Sequence, residues 1–214
     1  MNRVAVIDYG MGNLHSVAKA LEHVAKNARV RVTAEAGAIL AADRVVLPGV
    51  GAIRDCMAEI RRLGLDEVVR QVAASGRPLL GVCVGMQAMM RFSEENDGTE
   101  CLGILPGEVK YFGEDLRDPA TGDKLKIPHM GWNQVHREQA HPLWQGIGQD
   151  ARFYFVHSYF VQPDSDDLIS ATSEYGRRFC VAVARDNVFA VQFHPEKSQH
   201  DGLQLYQNFL NWNP

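Results

Sequence analysis

The sequence predicts an α/β protein with a mostly parallel central sheet flanked by helices and with additional antiparallel strands in its C-terminal half. In the first half, short β-branched runs alternate with stretches of helical spacing, an order typical of parallel sheets. From residue 108 onward, strand-like runs follow one another. No linker, repeat or low-complexity tract divides the 214 residues, so we expect one domain over residues 1–214.

The elements of the first half follow from hydrophobic periodicity. Short apolar runs predict strands at residues 4–7, 44–47 and 78–82, and alternation of polar and apolar residues predicts another at 29–33. Apolar residues at helical spacing predict helices at residues 14–24, about 55–62 and 65–74, with a further helix-compatible run at 86–90. Asn13 is the expected N-cap of the first helix.

The second half is predicted to be mainly strand. The candidate strands cover residues 108–112, 152–161, 168–172, 180–185 and 188–193. The turn-forming residues 185–187 predict a hairpin between the last two. Residues 115–126 are polar and contain a proline and a glycine, so we expect a surface loop there, and a final amphipathic helix covers about 202–212.

Charge and composition argue against two classes of function. There are 22 Lys and Arg against 26 Asp and Glu, for a net charge of −4, whereas nucleic-acid binding usually calls for a basic patch. No apolar run reaches 18 residues and the N-terminus has no signal-peptide core, so we expect a cytoplasmic protein that does not engage a membrane. Four cysteines without a CxxC pair fit reduced thiols.

The strongest local pattern is GVCVG at residues 81–85, which follows an apolar strand and precedes a helix-compatible run. It has the form of a nucleophile elbow, with Cys83 in the serine position of G-x-S-x-G. Glycines two residues either side remove Cβ atoms that would clash where strand meets helix, and a helix N-terminus favours thiolate. The alternative is a buried cysteine at a glycine-rich strand end. The strand–turn–helix context favours a nucleophile.

A thiolate nucleophile needs a base and a group that orients the base. Both residue types occur in VQFHPE at residues 191–196. On an extended backbone, His194 and Glu196 would share one face, where the carboxylate could hold the imidazole in its correct tautomer. Alone, this pair is more typical of a solvent-facing strand end. Together with a cysteine elbow, it predicts a catalytic base.

Acyl transfer also needs donors for an oxyanion. The run PGVG at residues 48–51 ends the third strand, next to the expected position of the nucleophile strand. Its glycines, Gly51 in particular, allow backbone N–H groups to point at a developing charge, and the amide of Val84 would be the second donor. A simple strand-to-helix turn is the alternative for this segment.

Together these segments resemble the class I, triad-type glutamine amidotransferases, whose elbow reads G-x-C-x-G-x-Q, as residues 81–87 do. The resemblance covers nearly the whole chain. It implies that family's fold, a triad of Cys83, His194 and Glu196, and hydrolysis of glutamine to glutamate and ammonia. It also implies a glutamine site at Gly49, Gly51, Val84, Gln87, Ser158 and Tyr159. No cofactor and no metal are implied, and the histidines at 129, 136 and 141 lack metal-ligand spacing.

Within that family, the sequence is most similar to the glutaminase subunits of imidazole glycerol phosphate synthases. The similarity rests on DYGMGNL at 8–14, LPGVGA at 47–52, PHMGWN at 128–133 and FVHSY at 155–159. Two small departures, Val84 where leucine is more usual and the residues at 126–127, touch no catalytic group.

This similarity implies a heterodimer with a separate cyclase subunit, a (β/α)₈ barrel. The cyclase receives ammonia and makes imidazole glycerol phosphate and aminoimidazole carboxamide ribotide in histidine biosynthesis. Loops expected at the active-site edge of the sheet, and the frequency of Trp and Tyr at interfaces, predict where the cyclase would dock. The predicted interface residues are Met11, Asn13, Trp132, Tyr154 and Lys197.

Three alternatives stay open at this point. One is an amidotransferase subunit for anthranilate or aminodeoxychorismate synthesis, against which the runs DYGMGN and PHMGWN argue. Another is an interaction module that has kept the fold and lost its chemistry, against which an intact Cys83, His194 and Glu196 argue. The third is a cysteine peptidase or γ-glutamyl hydrolase, which shares the elbow.

Overall fold

The structure is a computed structural model that describes residues 2–214. Its strands are β1 (Asn2–Ile7), β2 (Ala28–Thr33), β3 (Arg44–Leu47), β4 (Leu79–Val82), β5 (Phe92–Ser93), β6 (Thr99–Glu100), β7 (Gly107–Tyr111), β8 (His129–Arg137), β9 (Ala151–His157), β10 (Tyr159–Pro163), β11 (Ile169–Glu174), β12 (Arg178–Arg185) and β13 (Val188–Val191). Its α-helices are α1 (Leu14–Val24), α2 (Ala36–Leu40), α3 (Ile53–Arg62), α4 (Leu65–Ala74), α5 (Val84–Ala88) and α6 (Gln199–Asn211).

The centre of the sheet is parallel and confirms the predicted fold class. Strands β2, β1, β3, β4 and β13 lie side by side in that order, all parallel. Beyond them the order continues through β12, β10 and β7 with antiparallel pairing. Strands β3, β4 and β13 are buried at every residue, which explains why each reads as a continuous apolar run.

The register of the parallel strands brings three distant segments to one edge of the sheet. Leu47 of β3 is level with Gly81 of β4, and Val82 of β4 is level with Val191 of β13. The chain after each strand therefore leaves the sheet at the same carboxyl edge, where open α/β sheets bind their ligands. Residues 48–51, the segment that begins at Cys83, and residues 192–196 all start from there.

A branch of the sheet covers the C-terminal half. Strand β11 pairs with both β12 and β8, and β8 pairs along its length with β9. The sequence did not predict β8, and it predicted β9 and β10 as one strand. They are separate because the chain bends at Ser158, after which β10 pairs with β7 rather than with β8.

Helices on both faces close the core. The buried side of α3 contacts α5 and α4, and α6 packs against α1. The C-terminal end of α6 is tied to the sheet by the buried Arg44, whose guanidinium donates to the carbonyl of Phe209 at 3.0 Å and to that of Trp212 at 2.7 Å. Asn13 precedes α1 as predicted, but its side chain makes no capping hydrogen bond.

None of the helices within residues 2–214 combines the length and the apolar character needed to cross a bilayer.

Candidate active site

Cys83 occupies a strained turn between β4 and α5. Its backbone has φ 54° and ψ −114°, a conformation that costs a non-glycine residue of order 1–3 kcal/mol. Gly85 allows this turn to pack directly against the end of β3, because a Cβ atom at this position would lie 1.9 Å from the carbonyl oxygen of Leu47. The elbow and the end of β3 are therefore in backbone contact. Strain of this kind is typical of functional positions.

His194 and Glu196 form a buried pair beside the elbow. Nδ1 of His194 lies 2.8 Å from Oε1 of Glu196, and both side chains are at most 2% exposed. Their proximity does not come from an extended backbone, as the sequence suggested, because residues 195–197 form a 3₁₀ turn. Tyr206 donates to the other carboxylate oxygen of Glu196 at 3.4 Å, and burial raises the pKa of that phenol, so it remains a donor.

The charge environment favours a protonated imidazole. Burial lowers the pKa of His194, but interactions with the sulfur of Cys83 and with the carboxylate of Glu196 outweigh it and raise this pKa to about 10. Because Glu196 accepts only, Nδ1 of His194 carries hydrogen and Nε2 faces Cys83. Among the described residues, Nε2 has no hydrogen-bond partner of normal geometry. The arrangement is that of a base held for proton exchange with a thiol.

A cavity of about 650 Å³ opens at this edge of the sheet. Its lining includes Cys83 and His194 together with five of the six residues predicted to hold glutamine, namely Gly51, Val84, Gln87, Ser158 and Tyr159. Gly49 lies outside the lining. Its backbone passes so close to its neighbours that a Cβ atom would be 2.5 Å from Oη of Tyr9 and 3.0 Å from the amide nitrogen of Gly85.

The two predicted oxyanion donors, Gly51 and Val84, both line the cavity. Val84 is the first residue of α5, so its N–H has no acceptor within the helix. Gly51 has φ 91°, a conformation that favours glycine. The thiol of Cys56 in α3 donates to the carbonyl of Val50 at 3.4 Å, which fixes the peptide between Val50 and Gly51.

Three of the residues predicted to contact a partner lie at this cavity, and a fourth, Trp132, lines a second cavity. Asn13 and Lys197 line it, and Met11 is next to Gly51. Trp132 is 39% exposed and packs edge-on against Tyr154 at 6.2 Å. Nζ of Lys197 lies 5.6 Å from the centre of the Tyr154 ring. Met130 is a second exposed apolar side chain on β8, with 62% of its surface exposed, and it was not among the predicted interface residues.

Two buried histidines connect the cavity to a second one. His157 lines the active-site cavity and His129 lines a neighbouring cavity of about 630 Å³. Nδ1 of His157 donates to the carbonyl of Tyr159 at 2.8 Å, so its Nε2 accepts from Nδ1 of His129 at 2.9 Å. Nε2 of His129 accepts in turn from the Asn133 amide at 3.3 Å, which also donates to the carbonyl of Glu174. Burial lowers the pKa of His129 to about 4 and of His157 to about 3.

Two further polar residues at the site were not found from the sequence. Glu95 lines the cavity and accepts from the amide of Ile53 at 3.2 Å, and burial raises the pKa of its carboxyl. It stands in an acidic surface run with no catalytic pattern. Gln192 lies within the run that contains His194, and its amide nitrogen is 3.8 Å from the sulfur of Cys83. Only its position directly before FHPE could have suggested a role.

Comparison with known proteins agrees with this geometry. A family model described as glutamine amidotransferase class-I matches residues 5–212. The chain is 59% identical over 213 residues to imidazole glycerol phosphate synthase subunit HisH 1 of Pseudomonas aeruginosa, covering 100% of this chain and 98% of that protein. It is 61% identical to the corresponding HisH subunit of Nitrosococcus oceani, covering 100% and 99%.

Solved structures share the fold at low sequence identity. The structure of PurLQS from Thermotoga maritima aligns with a TM-score of 0.73 and 17% identity, covering 99% of each chain. A structure described as a glutamine amidotransferase aligns with a TM-score of 0.71 and 19% identity, covering 97% of each chain.

Proposed function

Because the chain belongs to the class I glutamine amidotransferase family, we propose that it is the glutaminase subunit of an imidazole glycerol phosphate synthase in histidine biosynthesis. It is a glutamine amidotransferase, and relatives that are about 60% identical over their whole length are named as HisH subunits of that synthase. The observation that carries the proposal is the meeting of Cys83, His194 and Glu196 at one edge of the sheet, beside a cavity large enough for an amino acid.

The proposed chemistry follows from this arrangement. The sulfur of Cys83 attacks the side-chain carbonyl of glutamine, and His194 passes the thiol proton to the departing ammonia. Glu196 holds the imidazole through Nδ1 and stabilises its charged form. The N–H groups of Gly51 and Val84 stabilise the oxyanion. Water activated by His194 then hydrolyses the γ-glutamyl thioester and releases glutamate.

The rest of the cavity supplies contacts for the two ends of glutamine. Gln87 and the backbone at Ser158 and Tyr159 provide polar groups along one wall. Glu95 provides a carboxylate, which suits the α-ammonium group of an amino acid. Because burial raises the pKa of Glu95, a bound cation would stabilise its charged form.

We further propose that ammonia passes to a cyclase subunit with a (β/α)₈ barrel, and that both work in the cytoplasm. Free ammonia in neutral water is mostly ammonium, which is not a nucleophile, so the product must be delivered directly. Support for the docking face comes from Trp132, Tyr154 and Lys197, which form one contact cluster that reaches the active-site cavity through Lys197. Half-exposed aromatics of this kind are common at interface hot spots.

The decisive experiment measures glutamate release from glutamine, first by the purified chain and then with the cyclase and its nucleotide substrate. We expect stimulation by the cyclase and loss of turnover in Cys83→Ala, whereas Cys101→Ala, a buried cysteine away from the cavity, retains it. Activity only with a different synthase would overturn the pathway. No activity with any synthase would favour an interaction module.

The interface is tested separately with Trp132→Ala. Truncation of a hot-spot aromatic costs about 2 kcal/mol, so affinity for the cyclase should fall about 30-fold. Leu63→Ala is the matched control, because Leu63 is exposed to a similar degree, 37%, between α3 and α4. Equal affinities of the two variants would contradict this docking face.

A further inference from the structure

Gln192 is a buried polar residue at the centre of the site that the proposed chemistry does not use. It directly follows β13 and is 0% exposed. Its backbone N–H donates to the carbonyl of Val181 at 2.8 Å, so the residue is anchored to the sheet. The register of β4 and β13 places its side chain beside the elbow, where Nε2 lies 3.8 Å from the sulfur of Cys83.

The carbonyl of Tyr159 determines which atom of the Gln192 amide faces the sulfur of Cys83, through two successive hydrogen bonds. The carbonyl of Tyr159 can only accept, so the Gln87 atom that lies 3.3 Å from it is Nε2. The same Nε2 atom lies 3.1 Å from the side chain of Gln192, which must therefore present its oxygen to Gln87. The remaining Gln192 atom, the one that faces sulfur, is consequently its NH₂ group. The oxygen and nitrogen of a side-chain amide are often hard to assign, but these hydrogen bonds assign both atoms of Gln192.

The other cysteines have the opposite surroundings. Cys56, Cys101 and Cys180 each place their sulfur next to a backbone carbonyl, at 3.4, 3.6 and 3.4 Å, and so act as thiol donors. Burial raises their pKa values to about 11, 12 and 12. Within residues 2–214, Cys83 is the only cysteine whose sulfur has a side-chain amide donor.

From this geometry we infer that Gln192 is a further catalytic residue, which donates a hydrogen bond to the thiolate of Cys83. A neutral thiol is a weak acceptor, whereas a hydrogen bond to a charged acceptor is roughly twice as strong as a neutral one. The bond therefore favours the ionised sulfur over the protonated one. This inference adds a residue to the proposed glutaminase mechanism and rests on Cys83 being its nucleophile.

Gln192→Glu removes the donor and also places a negative charge beside the sulfur, so the uncharged Gln192→Met is the variant that isolates the loss of the donor. A carboxylate has nearly the same shape and still accepts from Gln87, but it offers no N–H to sulfur. Gln192→Met keeps the length of the side chain without charge and guards against a folding defect caused by a buried carboxylate. Gln134→Leu, at an exposed position of β8, is the matched control.

The test is the pH dependence of Cys83 alkylation by iodoacetamide in the intact chain, followed by mass spectrometry of the peptide that carries Cys83. We expect the midpoint of the profile to move to higher pH by about one unit in Gln192→Met, and further in Gln192→Glu, whose carboxylate also repels the thiolate. A merely structural role would lower the melting temperature and leave the midpoint in place.

Unchanged midpoints in both folded variants would overturn the inference, and so would a shift of equal size in Gln134→Leu. The assay needs neither glutamine nor a partner. A failure of the proposed pathway would therefore leave the alkylation result intact, and an unchanged alkylation profile would leave the glutaminase proposal standing.

Discussion

Replacement of Gly85 by alanine tests whether the elbow and the end of β3 form one rigid contact. The added Cβ would lie 1.9 Å from the oxygen of Leu47 and 2.9 Å from its carbonyl carbon, both backbone atoms. Real Cβ contacts are essentially never below 3.0 Å, so the two segments must separate by about 1.1 Å. Cys83 would move with the elbow, which changes its position relative to His194 and to the amide of Gly51.

We expect Gly85→Ala to lower both activity and stability. A misplacement of about 1 Å at a reacting group lowers turnover about 100-fold. Overpacking of a buried site costs about 1–3 kcal/mol of unfolding free energy. Glutamate release measured well below the melting temperature separates the two effects, because the variant is then folded in the assay.

Gly37→Ala is the matched control for Gly85→Ala. No atom of the described residues outside its own helix turn lies within 4 Å of the Cβ that it would add, and Gly37 stands in α2, where alanine is the better helix former. We expect its turnover to be unchanged and its melting temperature to be equal or higher. If Gly85→Ala kept turnover within twofold and had the melting temperature of the unsubstituted chain, this contact would not be what positions Cys83.

Two further predictions concern stability. Two further groups, His129 and His157, have folded-state pKa values lowered from 6.5 to about 4 and 3, so unfolding takes up protons at acid pH. Their contribution to the free energy of unfolding is complete above about pH 6.5. It falls as the pH drops toward 4, by up to about 1.4 kcal/mol per pH unit for each histidine. Urea unfolding between pH 7.5 and 4.5 should show this decline, and a flat profile would contradict it. Arg44→Met should lower the unfolding free energy by about 1–3 kcal/mol and keep glutaminase turnover, because it leaves the carbonyl of Trp212 without its donor, whereas the carbonyl of Phe209 still accepts from the backbone N–H of Trp212. A loss below about 0.5 kcal/mol in urea titrations would show that the contacts are dispensable.

Hydrophobic patterning predicted the parallel half of the sheet closely, and it failed where tertiary context decides. Strand β3 and helix α4 have the predicted bounds, because buried parallel strands and amphipathic helices have recognisable hydrophobic patterns in their own sequence. Strand β8 was missed because its pattern is inverted. It buries His129 and exposes Met130 and Trp132, so apolar residues lie on the open face.

The break at Ser158 also has no local signal, because it depends on the exchange of β8 for β7 as the pairing strand. The same distinction holds at the site. The spacing around Cys83 and around His194 predicted the elbow and the pair, since their chemistry needs those residue types together. Gln192 was not predicted because its role depends on Gln87, which is 105 residues away along the chain.

Each ring nitrogen of His129 and His157 already has a hydrogen-bond partner. Asn133 donates to His129, the two imidazoles pass one N–H each in the same direction, and the carbonyl of Tyr159 ends the chain of hydrogen bonds. A proton wire needs an empty acceptor site at its exit, and this chain has none, since a backbone carbonyl takes no proton. An added proton would have to remain as a buried imidazolium, which the surroundings disfavour. The two histidines therefore do not carry protons through the wall of the cavity, and His194 is the group that exchanges protons with Cys83.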